Sequence, residues 1–102
     1  MTKFPILASY AYLRETETDR VRQLVADPRI EFLLDSGAFT AFNVGKTIEL
    51  QDYIAWVHAW KPHLFGYMAL DVLQDPVATD ANQQTMMTAG LVPIPVHHRS
   101  QP

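Results

Sequence analysis

Short apolar segments alternate along this chain with segments patterned for helices, and that alternation restricts the fold more than any single motif does. "FPILASYAYL" (Phe4–Leu13) is rich in strand formers and carries its proline near the start, where a strand tolerates one. "IEFLLD" (Ile30–Asp35) reads as a buried strand, "FGYMALDVL" (Phe65–Leu73) as a third and "LVPIPVHH" (Leu91–His98) as a fourth. Between the first two, Thr18 or Asp19 caps a helix with Val21, Leu24 and Val25 on one face, and Pro28 stops it. "ELQDYIAWVHAW" (Glu49–Trp60) is the clearest helix, with Leu50, Tyr53, Ile54 and Val57 at helical spacing. Thr47 and Glu49 both stay open as its cap, and Pro62 ends it. A third helix starts with Asp75 as cap and Pro76 in its first position, and runs to Gly90. "GAFTAFNVGK" (Gly37–Lys46) is expected to be a loop.

The predicted order is β-α-β-α-β-α-β. Strands without a polar face, alternating with helices, imply an α/β fold with a parallel sheet and right-handed crossovers. Each βα unit takes about 30 residues, the ordinary scale. Two architectures fit: an open doubly wound sheet, or half of a (β/α)₈ barrel, whose full form needs about 250 residues. A chain of 102 residues supports one domain, spanning 1–102.

Composition narrows the functional classes. The chain is 48% hydrophobic and 19% charged, as soluble globular domains are. Its net charge is −3 and its eight Lys and Arg are scattered, so no basic stripe announces nucleic acid. The absence of cysteine excludes disulfides, zinc–thiolate sites and a thiol nucleophile from these residues. No apolar run reaches membrane-spanning length and "MTKFPILASY" lacks a signal-peptide pattern, so a cytoplasmic protein is expected, without a membrane partner.

In parallel α/β folds ligands gather at the C-terminal ends of the strands. Ser9 with Tyr10, Asp35 with Ser36, Asp71, and His97 with His98 fall there. Leu33 and Asp35 share one strand face and Ala69 and Asp71 another, so two carboxylates converge if those faces point inward. Asp35 also reads as an Asx turn residue before Ser36 and Gly37, and the structural reading is stronger for Asp71. Phe39 is either core beneath a loop or a lid that stacks on a flat ring. Adjacent strand residues point to opposite faces, so His97 and His98 cannot both face a metal, and none is expected. Trp56, Trp60, Met86 and Met87 read as core or interface, and Lys46 as solvated. No phosphate-binding glycine loop is present.

"LLDSGAF" (Leu33–Phe39) resembles the "DSGG-aromatic-Q" signature of the tRNA-guanine transglycosylases, the queuine and archaeosine base-exchange enzymes. With "YMALDV" and "GLVPIPVHH" downstream, the similarity covers about Ile30 to His98, and is closer to the phage and bacterial paralogues that insert 7-deazaguanine into DNA. The resemblance implies the N-terminal half of a (β/α)₈ barrel that binds a guanine or 7-deazaguanine base, with DNA or tRNA as acceptor and no cofactor. It assigns Asp35 a catalytic proton-transfer role, Phe39 the stacking role, Asp71 a hydrogen bond to the purine edge, and Ser36 and Gly37 the turn. Ser9 and His98 are added as substrate-binding candidates from their place at the strand ends. Ala38 stands where the signature has its second glycine and Thr40 where it has glutamine. The three-Cys, one-His zinc motif of the tRNA enzymes is missing. The family's nucleophilic aspartate belongs to the later half of the barrel, so this chain is expected to be incomplete alone, and to form a homodimer or pair with a C-terminal half. A non-catalytic half-barrel assembly module is the alternative. A sugar- or phosphate-processing barrel using Asp35, Asp71 and His98 is a third reading.

Overall fold

The computed structural model describes residues 3–96. β1 (Phe4–Ser9) runs into a four-residue helix, α1 (Tyr10–Leu13), and then α2 (Thr18–Val25) leads to β2 (Ile30–Asp35). α3 (Ala38–Asn43), α4 (Leu50–Trp60) and a 3₁₀ turn at Lys61–His63 precede the short β3 (Gly66–Tyr67). α5 (Pro76–Thr88) completes the described helices. The strands form a parallel sheet in the order β1-β2-β3, with Ile6 opposite Phe32, Ser9 opposite Asp35 and Leu33 opposite Gly66. The fold is therefore mixed α/β around a three-stranded parallel sheet.

Several boundaries differ from expectation. The first apolar run is strand only as far as Ser9, and Tyr10 turns inward as the first residue of α1. α2 has Glu17 as its cap residue, with Thr18 and Asp19 inside the first turn. Gly37–Lys46 is not all loop, because α3 occupies Ala38–Asn43. The third strand pairs with β2 only at Gly66–Tyr67. Among the described residues the fourth segment joins it through one parallel bridge, Met68 with Ile94. Ile94 donates its N–H to the Tyr67 carbonyl (2.8 Å) and accepts the Ala69 N–H (2.9 Å). Val92, the preceding residue whose N–H faces the same side, donates to the Tyr67 hydroxyl at 2.7 Å instead of a backbone carbonyl, while Pro93 and Pro95 leave the opposite edge without donors.

β2 decides the layering. Phe32 and Leu34 are buried, one against Val21 and Val25 of α2, the other among Tyr53, Ile54 and Val57 of α4. Burying Leu34 alone contributes roughly 1.5–3 kcal/mol. Tyr10 meets the Tyr53 ring edge-on at 5.0 Å and Trp56 at 5.7 Å, so α1 is fixed by aromatic packing on α4. Leu33 points to the other face, where its side chain and that of Ile94 close over Gly66; a Cβ there would stand 3.0 Å from each.

β1 is the exposed strand. Phe4, Ile6 and Leu7 all lie open, Leu7 at 62%, and no described strand pairs with the outer edge. Its Phe4 N–H bonds to the Arg29 carbonyl at 2.8 Å, which sets the register with β2. No helix among the described residues is long and apolar enough to cross a membrane.

Candidate functional site

The tip of β2 is built by three successive small devices. Asp35 ends the strand, and its Oδ2 accepts the Gly37 N–H at 3.2 Å, an Asx turn. Ser36 is buried, and its Oγ accepts the Ala38 N–H at 3.3 Å. Gly37 then takes φ +77°, the left-handed region that suits glycine, and caps α3. It presses against the end of β1: a Cβ on Gly37 would overlap Ser9 Oγ and sit 2.6 Å from Ala11 Cβ and 2.9 Å from Ala11 N. Ser9 Oγ is itself buried there with no hydrogen-bond partner among the described residues.

Below this turn lies Tyr53, which the helical pattern marked only as a core residue. Its hydroxyl donates to the Met68 carbonyl at 2.7 Å, tying α4 to the chain leaving β3. Burial first, and then the negative charge of Asp35, push its phenol far above the ordinary value of 10.0. Asp35 and Tyr53 are thus electrostatic neighbours across the sheet end.

Asp71 occupies the chain between β3 and α5. Fully buried Thr79 donates its hydroxyl toward Asp71 Oδ1 at 3.1 Å and accepts the Val72 N–H at 2.9 Å. The start of α5 is secured separately, by Asp75 Oδ1 accepting the Ala78 N–H at 2.9 Å. Asp71 borders a cavity of about 370 Å³ between α3, the α3–α4 connection and the β3–α5 connection. Phe42, Ile48, Leu50 and Leu70 give that cavity apolar walls, and Asn82 joins Asp71 at its polar side.

α3 presents its residues in an unusual sense. Ala41 is buried while Phe39 and Phe42 are 66% and 68% exposed. Phe39 is therefore not core beneath a loop, and it stands in solvent on the first turn after Gly37. Lys46 is exposed, as a solvated residue should be, and its Nζ also lies 2.9 Å from Glu15 Oε1 in a surface ion pair.

Of the residues expected at the site, Asp35, Ser36, Gly37 and Ser9 come together at the ends of β1 and β2. Asp71 lies in the neighbouring cavity, whose lining includes neither Asp35 nor Phe39. His97 and His98 lie outside the described residues. Thr79, Asn82 and Phe42 were not anticipated; Thr79 follows the Asp75-Pro76 start at helical spacing, a signal that could have marked it as facing Asp71. Among the described residues no group of three or more His, Cys, Asp or Glu is placed to hold a metal ion. Comparisons of the chain with protein-family models, with curated proteins and with solved structures find no match.

Proposed function

We propose that the chain is the base-binding half of a guanine or 7-deazaguanine transglycosylase-like enzyme that exchanges bases in DNA or tRNA in the cytoplasm. In this reading the three-stranded sheet is part of a (β/α)₈ barrel. Asp35 acts on the base as the proton-transfer group, Asp71 accepts N–H groups of the purine edge, and Phe39 is the stacking ring that the motif implies. The observation that carries the reading is the shared end of the sheet. The Asp35 turn, exposed Phe39 and the Asp71 cavity all lie beyond the C-terminal ends of parallel strands, where ligands of such folds bind. Base exchange itself needs a nucleophilic carboxylate from another half. Asp52, Asp75 and Asp80 do not supply it: Asp75 caps α5, while Asp52 and Asp80 lie on α4 and α5.

Calorimetric titration with guanine and preQ-type bases tests this directly. Binding is expected, and Asp35→Asn abolishes it while leaving the thermal midpoint little changed. Absence of binding by a folded sample refutes the reading, as does a variant that unfolds yet still binds in its folded fraction.

A second reading, the non-catalytic assembly module, is favoured by one observation: the open outer edge of β1 with Phe4, Ile6 and Leu7 exposed. Both readings expect association with a second copy or a C-terminal half. A stable monomer in light scattering contradicts that expectation, and exchange of labelled guanine by this chain alone contradicts its incompleteness.

A further inference from the structure

We infer that the aromatic wall facing Asp71 is Phe42, not Phe39, and that the cavity between them takes a planar heterocycle carrying N–H donors. The inference rests on the base-binding reading and departs from it at one residue, replacing the Phe39 that the motif implies with Phe42 as the stacking ring of α3. Phe42 lines the cavity together with Asp71, whereas Phe39, one turn earlier, does not. At 68% exposure the Phe42 ring has free surface to offer a ligand, and the adjacent buried Ala41 fixes which side of α3 faces the protein. Ile48, Leu50 and Leu70 supply the rest of an apolar slot. The cavity's volume of about 370 Å³ falls in the usual range for small-molecule sites, ~300–1,000 Å³.

The polar side of the slot is oriented before any ligand arrives. Asp71 is steadied by the Thr79 hydroxyl at 3.1 Å, and Asn82 Nδ2 donates to the Leu70 carbonyl at 3.2 Å. An ionised carboxylate is an acceptor only, so it selects a ring edge with N–H groups, as an aminopurine or 7-deazapurine has. Lys46 also borders the cavity, though its ammonium is already paired with Glu15. Flat apolar ring faces against Phe42 and N–H donors toward Asp71 describe one ligand geometry.

The test is a set of titrations with guanine and 7-aminomethyl-7-deazaguanine on wild type, Phe42→Ala, Phe42→Tyr and Phe39→Ala. Phe42→Ala is expected to weaken binding at least about fivefold, the lower range of a lost base–aromatic stack. Phe42→Tyr keeps wild-type affinity, and Phe39→Ala changes it less than twofold. In wild type, proton–proton NOEs should run from the bound base to the Phe42 ring, a readout that survives even if Phe42→Ala fails to fold. Loss on Phe39→Ala with Phe42→Ala unaffected, equal losses in both, or NOEs to Phe39 alone overturn the inference while leaving base binding intact. No binding by folded wild type removes the base-binding reading, and this assignment with it.

Discussion

Thr79 and Asp71 are joined across eight residues of sequence by a hydroxyl–carboxylate hydrogen bond of 3.1 Å. The same Thr79 oxygen accepts the Val72 N–H and lies 2.9 Å from the Asp75 carbonyl, so one buried hydroxyl gathers the whole β3–α5 connection. Thr79→Val keeps the shape and removes that group. Leaving the partly buried Val72 N–H without its acceptor costs about 1–3 kcal/mol. For a chain of this length each kcal/mol lowers the thermal midpoint by roughly 4–8 °C. Thr79→Ser, which retains the hydroxyl, should recover most of the loss, and an unchanged midpoint in Thr79→Val would show the network to be inconsequential.

Gly37 and Gly45 both adopt positive φ, +77° and +71°, yet they predict different outcomes. An added Cβ at Gly45 meets nothing within 4 Å, so Gly45→Ala carries only the left-handed penalty of about 1–2 kcal/mol. At Gly37 the same atom collides with Ser9, and with the Ala11 backbone, which has little room to move. Gly37→Ala is expected to cost at least about 1 kcal/mol more than Gly45→Ala in urea unfolding, in the range of other overpacked sites. Equal costs would mean that Ser9 and Ala11 yield enough to admit a methyl group at Gly37.

Ser9 offers the opposite sign. Its buried Oγ has no hydrogen-bond partner among the described residues, so the hydroxyl contributes desolvation cost without a hydrogen bond in return. Ser9→Ala should be neutral or stabilising by up to about 1 kcal/mol. A clear destabilisation would reveal a hydrogen bond that the hydroxyl makes in solution.

Tyr53 makes stability sensitive to alkali. Its phenol is raised above 10.0 in the folded protein, by burial and then by the Asp35 charge, while the unfolded phenol titrates near that value. Above pH 10 the unfolded state therefore binds fewer protons than the folded one, and stability falls as pH rises. Below pH 10 the contribution is complete. Tyr10, raised chiefly by burial, adds in the same direction. Urea midpoints between pH 8 and 11 should decline in wild type and decline less in Tyr53→Phe. Parallel pH profiles would refute the role of Tyr53.

Those residues also show where sequence reading succeeds. Ile30–Asp35 was legible as a strand because its apolar residues are contiguous and its end carries a turn-forming aspartate. The start of α5 was legible because Asp75 and Pro76 each act locally, through a cap bond and a preset φ. α3 was hidden because its small alanine goes inward and its phenylalanines outward, inverting the hydrophobic pattern on which periodicity depends. The third strand was overread because Ala69 and Leu70 are buried by packing rather than by a longer ladder. The Asp71–Thr79 bond and the choice between Phe39 and Phe42 depend on how two connections fold over each other, which no local pattern encodes.

The Phe4–Arg29 hydrogen bond gives the outer edge of β1 a direction. In a parallel ladder alternate residues bond to one neighbour, so Phe4, Ile6 and Ala8 turn toward β2 while Pro5, Leu7 and Ser9 turn outward. Pro5 brings no donor to that row. An incoming strand can receive N–H groups only from Leu7 and Ser9, at the end of the sheet that carries Asp35, and finds only the Pro5 carbonyl on the lower rung. The edge behaves as a zipper with half of its bottom tooth removed: it engages from the Asp35 end downward, and a slipped register forfeits bonds it cannot replace.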